Sequence, residues 1–125
     1  MSKLPVQVID SWEERKGPCI FTTVDEQGVP NAVYVTCVRM YREEAFVIAN
    51  NKFNKTKQNI FNGSKGSLLF LTEDNKSFQI KGNIEYQTSG DAYDDMKRWL
   101  DPKYPGYGAT VLKITEVYSG AEKIC

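Results

Sequence analysis

The feature that most limits what this chain can fold into is a succession of six short runs rich in β-branched and aromatic residues, most of them joined by turns rather than by helices. The runs are Pro18–Asp25, Asn31–Met40, Ala45–Ala49, Ser67–Thr72, Ser77–Tyr86 and Ala109–Tyr118, with turn residues at Glu26-Gln27-Gly28, Tyr41–Glu44 and Asp74-Asn75. A doubly wound α/β sheet would alternate strand and helix throughout, and this chain does not. Only three helices are predicted. Leu4, Val8 and Trp12 recur at helical spacing over Pro5–Lys16, with Gly17 as the stop. Lys55–Asn62 follows Asn54 as a possible N-cap and ends before Gly63. Ser89 can cap the third, whose stripe is Ala92, Tyr93, Met96, Trp99 and Leu100. Pro102–Gly108 reads as a loop, and Gly82 interrupts the fifth strand run. At 125 residues the expectation is one domain, residues 1–125, mainly β with short α-helices: a small antiparallel barrel with helical caps.

Composition removes whole classes of chemistry. The sequence contains no histidine, so Ser-His-Asp and Cys-His catalysis and His-ligated zinc or haem have no basis in it. Sixteen basic and sixteen acidic side chains cancel, leaving no overall field for nucleic acid. No apolar run approaches the ~18 residues of a membrane span, and the start, Met1-Ser2-Lys3-Leu4-Pro5, lacks a secretory apolar stretch. Cysteines 19, 37 and 125 form neither a metal spacing nor an even disulfide framework, which predicts a cytoplasmic protein. Cys19 and Cys37 read as small hydrophobes within strands, and Trp12 and Trp99 as core. Asp91, Asp94 and Asp95 suit a helix start better than a metal site.

One segment breaks the neutral balance. Between Glu44 and Glu73 the chain holds Lys52, Lys55, Lys57 and Lys65 and no acid. If Lys55-Thr56 opens a helix, free backbone N–H groups, the Thr56 hydroxyl and an ammonium group converge as they do on phosphates. A solvated lysine face is the alternative that these residues leave open.

The order of these runs, followed by Asn51-Lys52-Phe53-Asn54-Lys55-Thr56-Lys57-Gln58-Asn59 and Ser67-Leu68-Leu69-Phe70, resembles the pyridoxamine 5′-phosphate oxidase-like FMN-binding split barrels from about Gly17 to Tyr118. The resemblance implies a six-stranded antiparallel split β-barrel that binds FMN non-covalently, with Lys55 and Thr56 on the phosphate. It implies that Tyr34, Val35 and Thr36, and Ile48, Ala49, Asn50 and Asn51, line the ribityl chain and ring. It further implies a homodimer whose sites are completed across the interface, with Tyr107 and the chain end near Cys125 as weaker candidates for reaching the flavin. The implied role is electron transfer or flavin reduction with an unidentified redox partner. The Arg-x-His of true pyridoxamine phosphate oxidases has no counterpart in Ser119–Cys125, so vitamin B6 oxidation is not expected. Deazaflavin-binding and haem-binding members share the fold. A non-catalytic dimeric module for another phosphorylated ligand is the alternative of a different class.

Overall fold

The computed structural model describes residues 3–125. Its elements in chain order are α1 (Val6–Trp12), β1 (Cys19–Val24), β2 (Pro30–Val35), β3 (Val38–Tyr41), β4 (Ala45–Asn50), α2 (Lys55–Phe61), β5 (Gly66–Leu71), β6 (Ser77–Gln87), α3 (Asp91–Trp99), β7 (Gly108–Ser119) and β8 (Glu122–Lys123). The strands form one antiparallel sheet in the order β2-β1-β5-β6-β7-β4-β3, with β8 paired to β7. The protein is mostly β, as the sequence predicts, but with eight strands instead of six.

The extra strands have physical reasons. Asn31–Met40 is two strands, because β2 pairs with β1 while β3 pairs with β4. These are opposite ends of the sheet, so the chain changes partner at Thr36-Cys37, and Ala49 N–H donates to the Cys37 carbonyl at 2.9 Å to pin the crossing. Val35 and Val38 are three residues apart and therefore within about 11 Å of each other. The sheet must curl until its two edges approach there, which produces a barrel split along one seam. The eighth strand, β8, is a two-residue return against Tyr118 and Ser119, too short to carry a period.

Two other expectations are corrected, and a third takes a definite form. Residues beyond Trp12 leave the helix because Arg15 bridges to Thr72 and Lys16 N–H bonds the Leu71 carbonyl. Gly82 interrupts its strand run as expected, as a bulge. β6 runs through it with a bulge at Lys81/Gly82, where a Cβ on Gly82 would lie 1.8 Å from the Lys113 carbonyl oxygen. The N-cap position of α3 is Gly90 rather than Ser89, and Asp91 and Asp94 supply negative charge to its first turn.

Alternation along the strands divides the core in two. Phe21, Phe46, Ile48, Leu68, Phe70, Ile80 and Leu112 fill the barrel interior, with Trp12 of α1 plugging one end. Ala45, Val47, Ala49, Ala109 and Val111 face outward and are covered by Ala92, Met96 and Leu100 of α3 and its flank. β4 is thus buried on both faces, which is why Ala45–Asn50 reads as an unbroken apolar run up to its last residue. No helix among the described residues is long and apolar enough to cross a membrane.

Candidate functional site

A cleft of about 560 Å³ opens at the seam, where β2, the end of β4, the segment into α2 and the loop before β7 meet. β2 has a neighbour on one side only, so its other edge presents free backbone N–H and C=O groups toward the seam. Side chains from both faces of β2 and from the residue after it reach the cleft: Asn31, Val33 and Val35 from one face, Tyr34 from the other, and Thr36 just beyond the strand.

The cleft's polar end is built by α2. Asn59 Nδ2 donates to the buried Thr23 hydroxyl of β1 at 3.0 Å and fixes the helix against the sheet. That fixing buries Thr56 to 2% exposure, where its Oγ1 accepts from Asn31 Nδ2 at 3.0 Å. The Thr56 hydroxyl proton is left to point at whatever enters the cleft. Lys55 and Lys52 are exposed on the rim, and Asn54 sits at the N-cap position without a side-chain cap bond. Asparagines then tie the two rims together. Asn50 Oδ1 accepts from Phe53 N–H at 2.8 Å, and Asn51 Oδ1 accepts from Gly106 N–H at 3.1 Å. Lys97 Nζ donates to the Pro105 carbonyl at 2.9 Å, so the Tyr104-Pro105 wall is held from both sides. Among the described residues, Lys52 and Lys55 are the only charged ones on the lining, and no carboxylate faces it. The arrangement is an apolar slot of Val33, Val35, Ala49, Phe53 and Pro105 with hydrogen-bond donors and positive charge at one end, suited to a flat anionic ligand.

Of the residues singled out in the sequence, the structure brings Lys55, Thr56, Tyr34, Val35, Thr36, Ala49 and Asn51 together on this lining. It does not bring Ile48, Asn50 or Tyr107 there. Ile48 points into the barrel interior, one residue out of phase with Ala49. Asn50 is buried and donates through Nδ2 to Tyr86 Oη at 2.8 Å, while Tyr107 is exposed and holds the Asn50 carbonyl through its N–H. Cys37, expected inside a strand, lies at the crossing between β2 and β3 and lines the cleft. Sequence reasoning gave no ligand role to Asn31, Val33, Phe53, Asn54, Tyr104 or Pro105. Only the exposed aromatic of the Pro/Tyr/Gly-rich loop carried a signal. A second cavity, of about 480 Å³, lies between the β3–β4 turn and α3, where Arg42 pairs with Asp91 at 3.5 Å and Arg98 with Asp95 at 3.3 Å, with Asp94 also on the lining.

Residues 7–119 match the family described as pyridoxamine 5′-phosphate oxidase. An uncharacterized protein of Methanocaldococcus jannaschii is 30% identical over 122 residues, covering 94% of this chain and 80% of that one. Among solved structures, HupZ of Group A Streptococcus superposes with a TM-score of 0.82 at 20% identity, covering 98% of each chain. An FMN-binding protein of Syntrophomonas wolfei superposes with a TM-score of 0.74 at 18% identity, covering 91% of this chain and 88% of that one. At those identities the structures establish the shared fold.

Proposed function

The chain belongs to the pyridoxamine 5′-phosphate oxidase family, and from that premise we propose that the seam cleft holds FMN and that the protein is a redox flavoprotein. The observation that carries the reading is the buried Thr56 hydroxyl, oriented by Asn31 beside Lys55, in a cleft whose lining has no carboxylate. The Thr56 oxygen already accepts from Asn31, which leaves its proton as a donor, and a dianionic phosphate would accept it together with the lysine charge. The donor set and the roughly 560 Å³ volume both suit the cofactor.

In this reading Lys55 and Thr56 would hold the phosphate, and Asn31 keeps the Thr56 oxygen occupied so that its proton points outward. The free edge of β2 at Tyr34, Val35 and Thr36, with Ala49 and Asn51 opposite, would orient the ribityl chain and ring. Phe53 and Pro105 exclude water from the slot. When bound, FMN supplies the electron chemistry and the chain supplies binding and orientation. With no histidine in the sequence and no carboxylate on the lining, an electron carrier or flavin reductase-like role suits the chain better than oxidation of pyridoxamine phosphate.

The same reading includes a homodimer. Tyr34, Ile20 and Leu69 lie in register across β2, β1 and β5 on the outward face, continued by Leu71 on β5 and Val24 on β1. Tyr34 is 75% exposed although it lines the cleft, so a second copy covering this row would bury it and complete the cleft wall. The free thiols of Cys19, Cys37 and Cys125 suit a reducing cytoplasm.

The test is the visible spectrum of the purified chain. A flavin spectrum, with FMN released intact on denaturation and identified by mass, is the expected result. A colourless protein that fails to take up added FMN would refute the reading.

A further inference from the structure

Behind the cleft the half-buried Tyr86, which packs against the barrel core, is flanked by exposed aromatic residues. Phe61, at the end of α2, is 61% exposed and meets Tyr86 of β6 edge-on, with ring centroids 5.2 Å apart. Lys57, one turn back on the helix, places its Nζ 5.5 Å from the Phe61 ring centroid. At Gly108 a Cβ would lie 2.3 Å from Tyr86 Cζ, so the glycine lets the tyrosine lie across the start of β7, beside Tyr107, which is 63% exposed. Tyr86 Oη accepts from Asn50 Nδ2 and Tyr107 N–H donates to the Asn50 carbonyl, both at 2.8 Å. The patch therefore backs onto Asn50, the residue before Asn51 and Lys52 of the cleft lining.

Exposed aromatics around a positive centre are the composition of a protein-docking surface. The charges specify the partner. Lys52 and Lys57 are exposed and form no ion pair among the described residues, and residues 45–72 contain no acid to balance them, Lys55 being left to the phosphate in the flavoprotein reading.

We propose that Phe61, Tyr86 and Tyr107, headed by Lys57, form a docking surface for an acidic electron-carrying protein. The proposal rests on the flavoprotein reading for the partner's redox character, while the contact itself depends only on this surface.

Calorimetric titration tests it, with a plant-type [2Fe–2S] ferredoxin as the acidic probe and a basic cytochrome c as the control. Both are titrated into the FMN-loaded protein and into the chain without flavin. The ferredoxin should bind, more weakly as salt is raised, and the cytochrome should not. Lys57→Glu and Phe61→Ser should each weaken ferredoxin binding about tenfold or more and leave FMN affinity unchanged. Because the flavin-free chain is titrated too, failure to bind FMN is read separately from failure to dock. The proposal is overturned if the ferredoxin does not bind, if Lys57→Glu binds it as well as the parent protein, or if Phe61→Ser converts a dimer to monomer and so assigns the patch to a second copy.

Discussion

Two helices of seven residues each close corners of the same barrel, and they do so with opposite chemistry. α1 buries Val8 and Trp12, and the Trp12 ring packs edge-on against Phe46 and Phe70 at 4.8 and 5.1 Å. α2 buries Thr56, Asn59 and Ile60, two of the three polar, and both polar side chains are hydrogen-bonded to the sheet. An apolar plug stabilises the fold and has no further use for its surroundings. A polar plug costs more to bury, and it places a hydroxyl at the cleft that an apolar residue could not supply. The contrast separates stability from binding: damage at α1 should lower the first and spare the second, and damage at the start of α2 should do the reverse.

The largest effect is expected from Trp12→Ala, which should cost about 3–5 kcal/mol of stability. Urea denaturation should show the loss, while FMN affinity of the molecules still folded stays at its parent value. Next comes Thr56→Val, which keeps the shape and removes the hydroxyl. FMN binding should weaken by about 1–3 kcal/mol, with the Asn31 amide left without its acceptor. Calorimetric titration checks this, and a denaturation midpoint falling as far as that of Trp12→Ala would erase the distinction between the two helices.

A smaller effect belongs to the α1 corner. Burial pushes the Cys19 thiol up to about 11 from its ordinary 9.0, against the opposing charge of Arg15. A group raised in the folded state stabilises fully below its unfolded value and loses that contribution as pH rises through the folded one. Stability should therefore decline between pH 9 and 11, and Cys19→Ala should flatten the decline in denaturation curves taken across that range. FMN affinity should not follow Cys19, which lies in the barrel interior.

How much of this was legible in the sequence depended on whether the deciding contact was local. Strand runs such as Cys19–Val24 and Gly66–Leu71 declared themselves because their alternation is set within a few residues. The break at Thr36-Cys37 did not, since no Gly or Pro marks it and its cause is that β2 and β3 pair at opposite sheet edges. Lys55-Thr56 stood out as a charged helix start in an acid-free stretch. Asn31 did not, because only the docking of α2 onto β1 brings its amide to Thr56. Ile48 and Ala49 are neighbours in an apolar run buried on both faces, and hydrophobicity alone could not assign which one faces the cleft.

The central claim, that the start of α2 is a phosphate site, is tested most directly by titrating FMN and riboflavin into the parent protein, Lys55→Ala and Lys65→Ala by flavin fluorescence quenching. Riboflavin lacks the phosphate. Lys55→Ala should weaken FMN by about 1.5–3 kcal/mol, on the order of tenfold to a hundredfold, and leave riboflavin nearly unchanged. Lys65, beyond the far end of the helix and off the cleft lining, should change neither appreciably. Equal weakening of FMN and riboflavin by Lys55→Ala would contradict the account, because the lysine would then act on the ring or the fold and not on the phosphate.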